Sequence, residues 1–84
     1  MFGQVLTNRQ IRAARALLGW SQLVLASRAD VAPITVKRLE ASDDGFDAHH
    51  RSVVKVRSAL EAAGVVFLDA TRDHREGVAL GRPG

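Results

Sequence analysis

The stretch that decides the fold is residues 20–40, which read WSQLVLASRADVAPITVKRLE. Ser21 is a suitable N-cap, and apolar residues recur at helical spacing in the residues that follow it. Asp30 lies where this helix should end. Pro33 suits the first position of a second helix, because the N–H at that position has no partner within a helix. The stretch therefore predicts two short helices joined by a tight turn, the second reaching about Ala41.

The helix that begins at Pro33 has two different sides. At about 100° per residue, Val36 and Leu39 fall together, and we expect them to face the core. The opposite side carries two cations and two small apolar groups, with two further residues at its borders. The outward residues are Pro33, Ile34, Lys37 and Arg38, and the border residues are Thr35 and Glu40.

A helix side that combines cations with small apolar groups suits the major groove of DNA, which offers purine acceptors, phosphates and thymine methyl groups. We expect Arg38 to bind guanine, Lys37 to bind a phosphate or a base edge, and Ile34 to contact a thymine methyl. Gln22, at the start of the preceding helix, can reach a phosphate beside that helix's free N–H groups. Taken alone, a helix with Lys and Arg outside is most often a solvated surface.

Upstream of this stretch the sequence predicts another helix. Thr7 and Gln10 have the spacing of a capping box, in which each side chain bonds the other residue's backbone. Apolar residues then recur at helical spacing as far as Leu18, and Gly19 is placed to stop the helix.

Downstream, residues 42–47 form a polar loop with one aromatic residue, Phe46, which we expect to fold back over the core. A fourth helix is predicted over roughly residues 50–63. Gly64 is placed to end it with a positive φ angle.

The C-terminal part of the sequence changes from helical to β-prone patterns. Residues 65–68 (VVFL) and 78–80 (VAL) are β-prone runs separated by a polar segment, and they predict a hairpin. A two-stranded hairpin is marginal alone, and a second copy of the chain would cover its exposed edge. The predicted architecture is thus mainly α, with a helix-turn-helix domain over 1–64 and dimerising strands and tail over 65–84. The residues predicted to dimerise are Val65, Val66, Phe67, Leu68, Val78 and Leu80.

Composition sets limits on function. The 84 residues suffice for one small core, and the absence of cysteine excludes disulfides, a thiolate nucleophile and cysteine-ligated zinc. The net charge of +3 is consistent either with a solvated surface or with attraction to a polyanion. No apolar run reaches the ~20 residues that cross a bilayer, and the N-terminus does not resemble a secretory signal, so we expect a cytoplasmic protein.

No catalytic motif is found. The sequence lacks a glycine-rich phosphate loop, a nucleophile motif and paired catalytic carboxylates. His49 and His50 have no further ligands at metal-binding spacing, and Asp43, Asp44 and Asp47 lack the pattern of a calcium loop. We therefore expect neither an enzyme nor a cofactor.

Residues 20–40 resemble the lambda-repressor-like helix-turn-helix family, also called the Cro-type or XRE family. The signature of that family is roughly S-Q-x-x-L-A-x-x-A-G-V-S-x-x-x-I-x-x-x-E. Residues 12–20 resemble the family's first helix, and residues 59–67 resemble, less specifically, the tail of small bacterial XRE regulators. The positions that match the signature are Ser21, Gln22, Leu25, Ala26, Ala29, Val31 and Glu40, with Val36 in place of the isoleucine.

The resemblance implies a four-helix DNA-binding domain whose third helix reads DNA. It also implies an ion pair between Arg15 and Glu40, although both residues could equally be surface charges. The chain departs from the family pattern in four places. Asp30 replaces the turn glycine, Ala32 replaces the serine cap, and Leu23 and Val24 replace a polar pair. Acidic residues fill the loop after the third helix. The candidates for basic phosphate contacts there are therefore Arg51, His49 and His50.

We therefore predict a sequence-specific DNA-binding transcriptional regulator of bacterial or phage type, a repressor, which binds a near-palindromic operator as a homodimer. The main alternative is an antitoxin that neutralises a toxin through Leu23, Val24 or the tail. A second alternative is an adaptor that keeps the fold but recruits protein partners. The candidate DNA-binding residues are Gln22, Pro33, Ile34, Thr35, Lys37, Arg38 and Arg51.

Overall fold

The computed structural model describes residues 6–41 and 50–81. Within these residues, four helices are followed by two strands that pair antiparallel, which confirms the mainly α fold with a C-terminal hairpin. The elements are α1 (Asn8–Leu18), α2 (Gln22–Ala29), α3 (Pro33–Ala41), α4 (His50–Ala62), β1 (Val65–Leu68) and β2 (Gly77–Leu80). The predicted lid residue Phe46, and the acids and histidine of the loop after α3, lie outside the described residues.

The helix ends are set by the local signals that the sequence contains. The Thr7 hydroxyl accepts from the Gln10 N–H at 3.1 Å, and the Gln10 side chain accepts from the Thr7 N–H at 3.0 Å. Gly19 ends α1 with a φ of 70°. Ser21 begins α2 by accepting from the Val24 N–H at 3.1 Å. These contacts confirm the predicted capping box, stop and N-cap.

The turn between α2 and α3 depends on Asp30, which has a φ of 58°, a left-handed conformation that favours glycine. The carbonyl of Asp30 accepts from the Lys55 ammonium of α4 at 3.4 Å. Pro33 follows at the start of α3, where its missing N–H costs no hydrogen bond. The turn thus reverses the chain and places α3 against α2.

One core joins the helices and the hairpin. The second helix packs against both α3 and α4, and α1 packs against α3 and β2. The largest fully buried side chains are Ile11, Leu25, Val36, Leu39, Val56 and Leu60. No helix in the described part of the chain is long and apolar enough to span a membrane.

The hairpin belongs to this core. Val65 is only 3% exposed, and Phe67 and Val78 pack against the core from the same face of the sheet. The Val65 side chain therefore packs inside the monomer, and the predicted role of this residue in dimerisation stays a prediction. The helices and strands share one core, which includes buried residues on both sides of the boundary predicted after residue 64.

Candidate nucleic-acid interface

The outward side of α3 lies where helical rotation predicts it. Val36 and Leu39 are buried, at 0% and 2% exposure, whereas Ile34 is 48% exposed. The other three residues of that side are exposed, and Thr35 at its border is half-buried. We call Pro33, Ile34, Lys37 and Arg38 the α3 outer face.

The cations of the α3 outer face have no side-chain partner in the described part of the chain. Within residues 6–41 and 50–81, neither Lys37 nor Arg38 makes a salt bridge or a hydrogen bond through its side chain. Since Ile34 is also half exposed, its methyl groups project beside the two cations instead of filling the core. The face can therefore present positive charge and apolar contact together.

Glu40 anchors the far end of α3 to α1. Arg15 donates from Nε to Glu40 Oε2 at 2.6 Å and from Nη2 to Glu40 Oε1 at 2.8 Å. The Glu40 side chain is only 4% exposed. Arg12 adds a hydrogen bond to the Glu40 carbonyl at 2.6 Å. The ion pair implied by the family resemblance is present, and it fixes the orientation of α3.

Gln22 is part of this anchor. Its amide nitrogen donates to Glu40 Oε1 at 3.0 Å, so the first residue of α2 is tied to the end of α3. The phosphate contact predicted for Gln22 would have to use its remaining N–H or break this bond. Sequence reasoning missed the internal role, because it depends on the packing of α2 over α3 and not on local spacing.

The anchor is charged at neutral pH. Burial alone would raise the pKa of Glu40, but hydrogen bonds from Arg15 and Gln22, together with the charges of Arg15 and Arg12, hold that pKa below its ordinary value. The hydrogen bond to Glu40 correspondingly raises the pKa of Arg15, although partial burial opposes the rise. Each partner therefore favours the ionised state of the other.

Other cations have partners within the fold. Arg9 pairs with Glu76 at 2.6 Å, and Arg57 pairs with Glu61 at 3.2 Å. The guanidinium of Arg57 also lies 4.8 Å from the centre of the Phe67 ring. Arg51, in the first turn of α4, is exposed and remains a candidate for a phosphate contact.

Trp20 connects α1 with α2. Its side chain is half-buried against the core, its carbonyl accepts from Arg15 Nη1 at 2.9 Å, and the Arg28 guanidinium lies 5.3 Å from its ring centre. Trp20 thus packs at the boundary of the core. This position places the Trp20 backbone beside the Arg15–Glu40 anchor and its ring beside Arg28.

Several large apolar side chains remain on the surface. Leu23 is 67% exposed on α2, next to Val24 at 38%. On the hairpin, Val66, Leu68 and Leu80 are 46%, 40% and 49% exposed. Of the residues predicted to dimerise, these three are therefore the ones whose side chains are most accessible.

No protein-family profile, curated protein or solved structure matches this chain. The functional assignment therefore rests on the residues and their geometry.

Proposed function

We propose that this chain is a sequence-specific DNA-binding transcriptional regulator, a cytoplasmic repressor of bacterial or phage type. The observation that carries the proposal is the α3 outer face, on which two cations without partners among the described residues flank an exposed isoleucine. DNA is the ligand that combines the matching groups, because its major groove presents phosphates, purine acceptors and thymine methyl groups side by side.

The chemistry of each side chain assigns its role. Arg38 binds guanine through two parallel hydrogen bonds, which discriminates against other bases by ~1–3 kcal/mol. Lys37 binds a phosphate or a base edge, and Ile34 contacts a thymine methyl. Pro33 and Thr35, at the start of the helix, lie close to the DNA backbone. Arg51 adds a phosphate contact from α4.

The Arg15–Glu40 anchor supports this proposal through rigidity. A recognition helix must hold its base-contacting side chains in one geometry, since loss of register removes the paired hydrogen bonds that carry specificity. The anchor ties α3 to both α1 and α2 through one buried carboxylate. The outer face is thereby presented as a fixed surface.

The proposed assembly on DNA is a homodimer. Two copies related by a two-fold axis would place their third helices in successive major grooves, about 34 Å apart, on a near-palindromic operator. Binding would block transcription from an overlapping promoter.

Fluorescence anisotropy on operators obtained by unbiased site selection tests the proposal. We expect the variant Lys37→Ala/Arg38→Ala to bind the selected site roughly tenfold to a hundredfold more weakly, with a shallower salt dependence. The matched control is Arg72→Ala/Arg75→Ala, which removes the same charge from the exposed connection between β1 and β2. The control should change affinity by no more than about threefold, since distant exposed charges are screened by salt.

Two results would contradict DNA reading by α3. One is site selection that yields no preferred sequence, and the other is equal weakening by both double variants. Equal weakening would mean that net charge, and not the α3 outer face, determines binding.

Exposed apolar residues on α2 favour a second function, neutralisation of a partner protein as an antitoxin or related module. Leu23 is 67% exposed beside Val24, in a helix whose outer side is usually polar in such folds. In this case Leu23→Ser/Val24→Ser would abolish co-purification of a second polypeptide while leaving DNA affinity unchanged. If the double variant retains the partner, this second function is wrong.

A further inference from the structure

We propose that a second copy of this chain pairs with the outer edge of β1, so that two hairpins form one continuous sheet in the order β2-β1-β1-β2. The inference goes beyond DNA binding and does not depend on it. It begins from the hydrogen-bond pattern of the hairpin. Gly81 donates to the Gly64 carbonyl at 2.7 Å, one residue pair before the Val65–Leu80 pair of the register.

This bond determines which backbone groups face outward. Antiparallel ladders alternate between pairs that exchange hydrogen bonds and pairs that do not. The Val66–Ala79 and Leu68–Gly77 pairs are therefore bonded, and the N–H and C=O groups of Val65 and Phe67 point away from β2. Among the described residues, no hydrogen bond satisfies these outward groups.

The two edges of the hairpin differ in what surrounds them. On the β2 side, α1 packs against the strand, Gln10 donates to the Gly77 carbonyl at 3.0 Å, and the Arg9–Glu76 ion pair lies next to the start of the strand. The β1 strand contains no charged residue and no proline. Helix α4 also packs against β1, but the strand itself lacks the charged residues and the proline with which proteins commonly protect an open edge against pairing.

The outward N–H and C=O groups of two β1 strands can hydrogen-bond to each other. If Val65 pairs with Phe67 of a second copy, the two-fold axis passes through Val66, and every outward N–H and C=O of both strands finds a partner. A register centred on Val65 would leave Phe67 opposite Ala63, outside the strand, and one centred on Phe67 would bring Asp69 into the pairing. The symmetric register at Val66 is the one that uses the strand fully.

This register has a consequence for side chains. Val66 and its symmetry mate form a pair without mutual hydrogen bonds, in which the Cα atoms approach to about 4.5 Å. Val66 is 46% exposed, with Leu68 on the same face of the strand. Pairing therefore covers apolar surface and gives the hairpin the additional strands that a stable sheet needs.

A single cysteine at the proposed axis tests the register, because the natural chain contains none. Under mild oxidation, Val66→Cys should form a disulfide-linked dimer at low protein concentration. The matched control is Leu80→Cys, which is equally exposed, at 49%, but lies on β2. Two copies of residue 80 would lie three strand spacings, about 14 Å, apart, beyond the roughly 7 Å limit for a disulfide.

Light scattering and sedimentation without DNA test the assembly itself. The natural chain should have about twice its monomer mass of 9.1 kDa. Val66→Lys should weaken self-association at least about tenfold, because two ammonium groups would face each other at the axis. Leu80→Lys should remain dimeric, and circular dichroism should show the same helix content in both variants.

The proposal is overturned if the natural chain stays monomeric across the micromolar range, or if Val66→Lys remains as dimeric as Leu80→Lys. Cross-linking of Leu80→Cys as fast as Val66→Cys overturns it as well, since that would indicate contact through the other strand. Because DNA is absent, these outcomes are independent of whether α3 binds an operator.

Discussion

The two surfaces proposed to act, the α3 outer face and the β1 edge, are held in place by different chemistry. The α3 helix is anchored by a charged network in which Glu40 binds Arg15 and Gln22. The hairpin is anchored by a neutral side chain, since Gln10 donates to the carbonyls of Leu68 and Gly77 at 3.3 and 3.0 Å. A charged anchor is stiff but sensitive to pH and to the loss of one partner, whereas a neutral anchor is weaker and independent of pH.

The largest expected effect comes from breaking the charged anchor. Arg15→Ala leaves Glu40 as an unpaired carboxylate that is only 4% exposed. We expect the free energy of unfolding in urea to fall by about 3–5 kcal/mol, the usual cost of stranding a buried charge. The control is Glu61→Ala, which removes an exposed pair within α4 and should cost no more than ~0.5 kcal/mol. Similar losses in the two variants would show that the anchor contributes no more than a surface pair.

Breaking the neutral anchor should cost less. Gln10 is 5% exposed, and Gln10→Ala removes its bonds to the hairpin and to the Thr7 N–H. The expected loss is about 1–3 kcal/mol, typical of a buried polar partner removed without replacement. Faster hydrogen exchange of the Val66 and Leu68 amides should accompany it. If exchange at these amides is unchanged, the glutamine does not hold the hairpin.

Acid should weaken the charged anchor and leave the neutral anchor unchanged. The pKa of Glu40 is lower in the folded protein than its ordinary value of 4.5, so ionised Glu40 stabilises the fold above that pH. This stabilisation is lost as the pH falls from 4.5 through the lowered pKa. Urea unfolding at several pH values should therefore show a smaller acid-induced loss in Glu40→Gln than in the natural chain.

Part of the acid sensitivity should survive in Glu40→Gln. The hydrogen bond from Arg9 also lowers the pKa of Glu76 below its ordinary value. Protonation of Glu76 in acid therefore also reduces the stability of the fold. The variant Gln10→Ala should lose stability in acid as steeply as the natural chain. Parallel pH profiles for Glu40→Gln and the natural chain would show that the charged anchor does not govern acid stability.

The smallest expected effect concerns the turn that directs α3. Asp30→Gly relieves the left-handed backbone at a φ of 58° but increases the freedom of the unfolded chain. The two contributions oppose each other, so we expect a net stabilisation below about 1 kcal/mol. Thermal unfolding of the natural chain and the variant measures it. A marked destabilisation would show that the Asp30 side chain, which lies 4.0 Å from Lys55, contributes more than its exposed position suggests.

Sequence reasoning succeeded where one residue acts on its near neighbours. The capping box at Thr7, the stop at Gly19 and the positive φ of Gly64 each follow from residues within a few positions. The exposed and buried sides of α3 follow from helical rotation alone, which explains why Val36 and Ile34 were placed correctly.

It failed where contacts join distant parts of the chain. The bonds from Gln10 to the hairpin span 58 and 67 positions, and nothing in the local pattern indicates them. The bond from Gln22 to Glu40 was missed because it depends on how two helices pack. The burial of the Val65 side chain was missed because β-prone residues look alike whether a strand faces the core or a partner.

The position of Trp20 gives this chain a built-in optical probe. It is the only tryptophan of the 84 residues, and its carbonyl bonds Arg15 while its ring lies near Arg28. Its emission will therefore respond to events at the junction of the first two helices and little to events in the hairpin. Excitation of the indole can follow loosening of the α1–α2 junction in real time, without any attached dye.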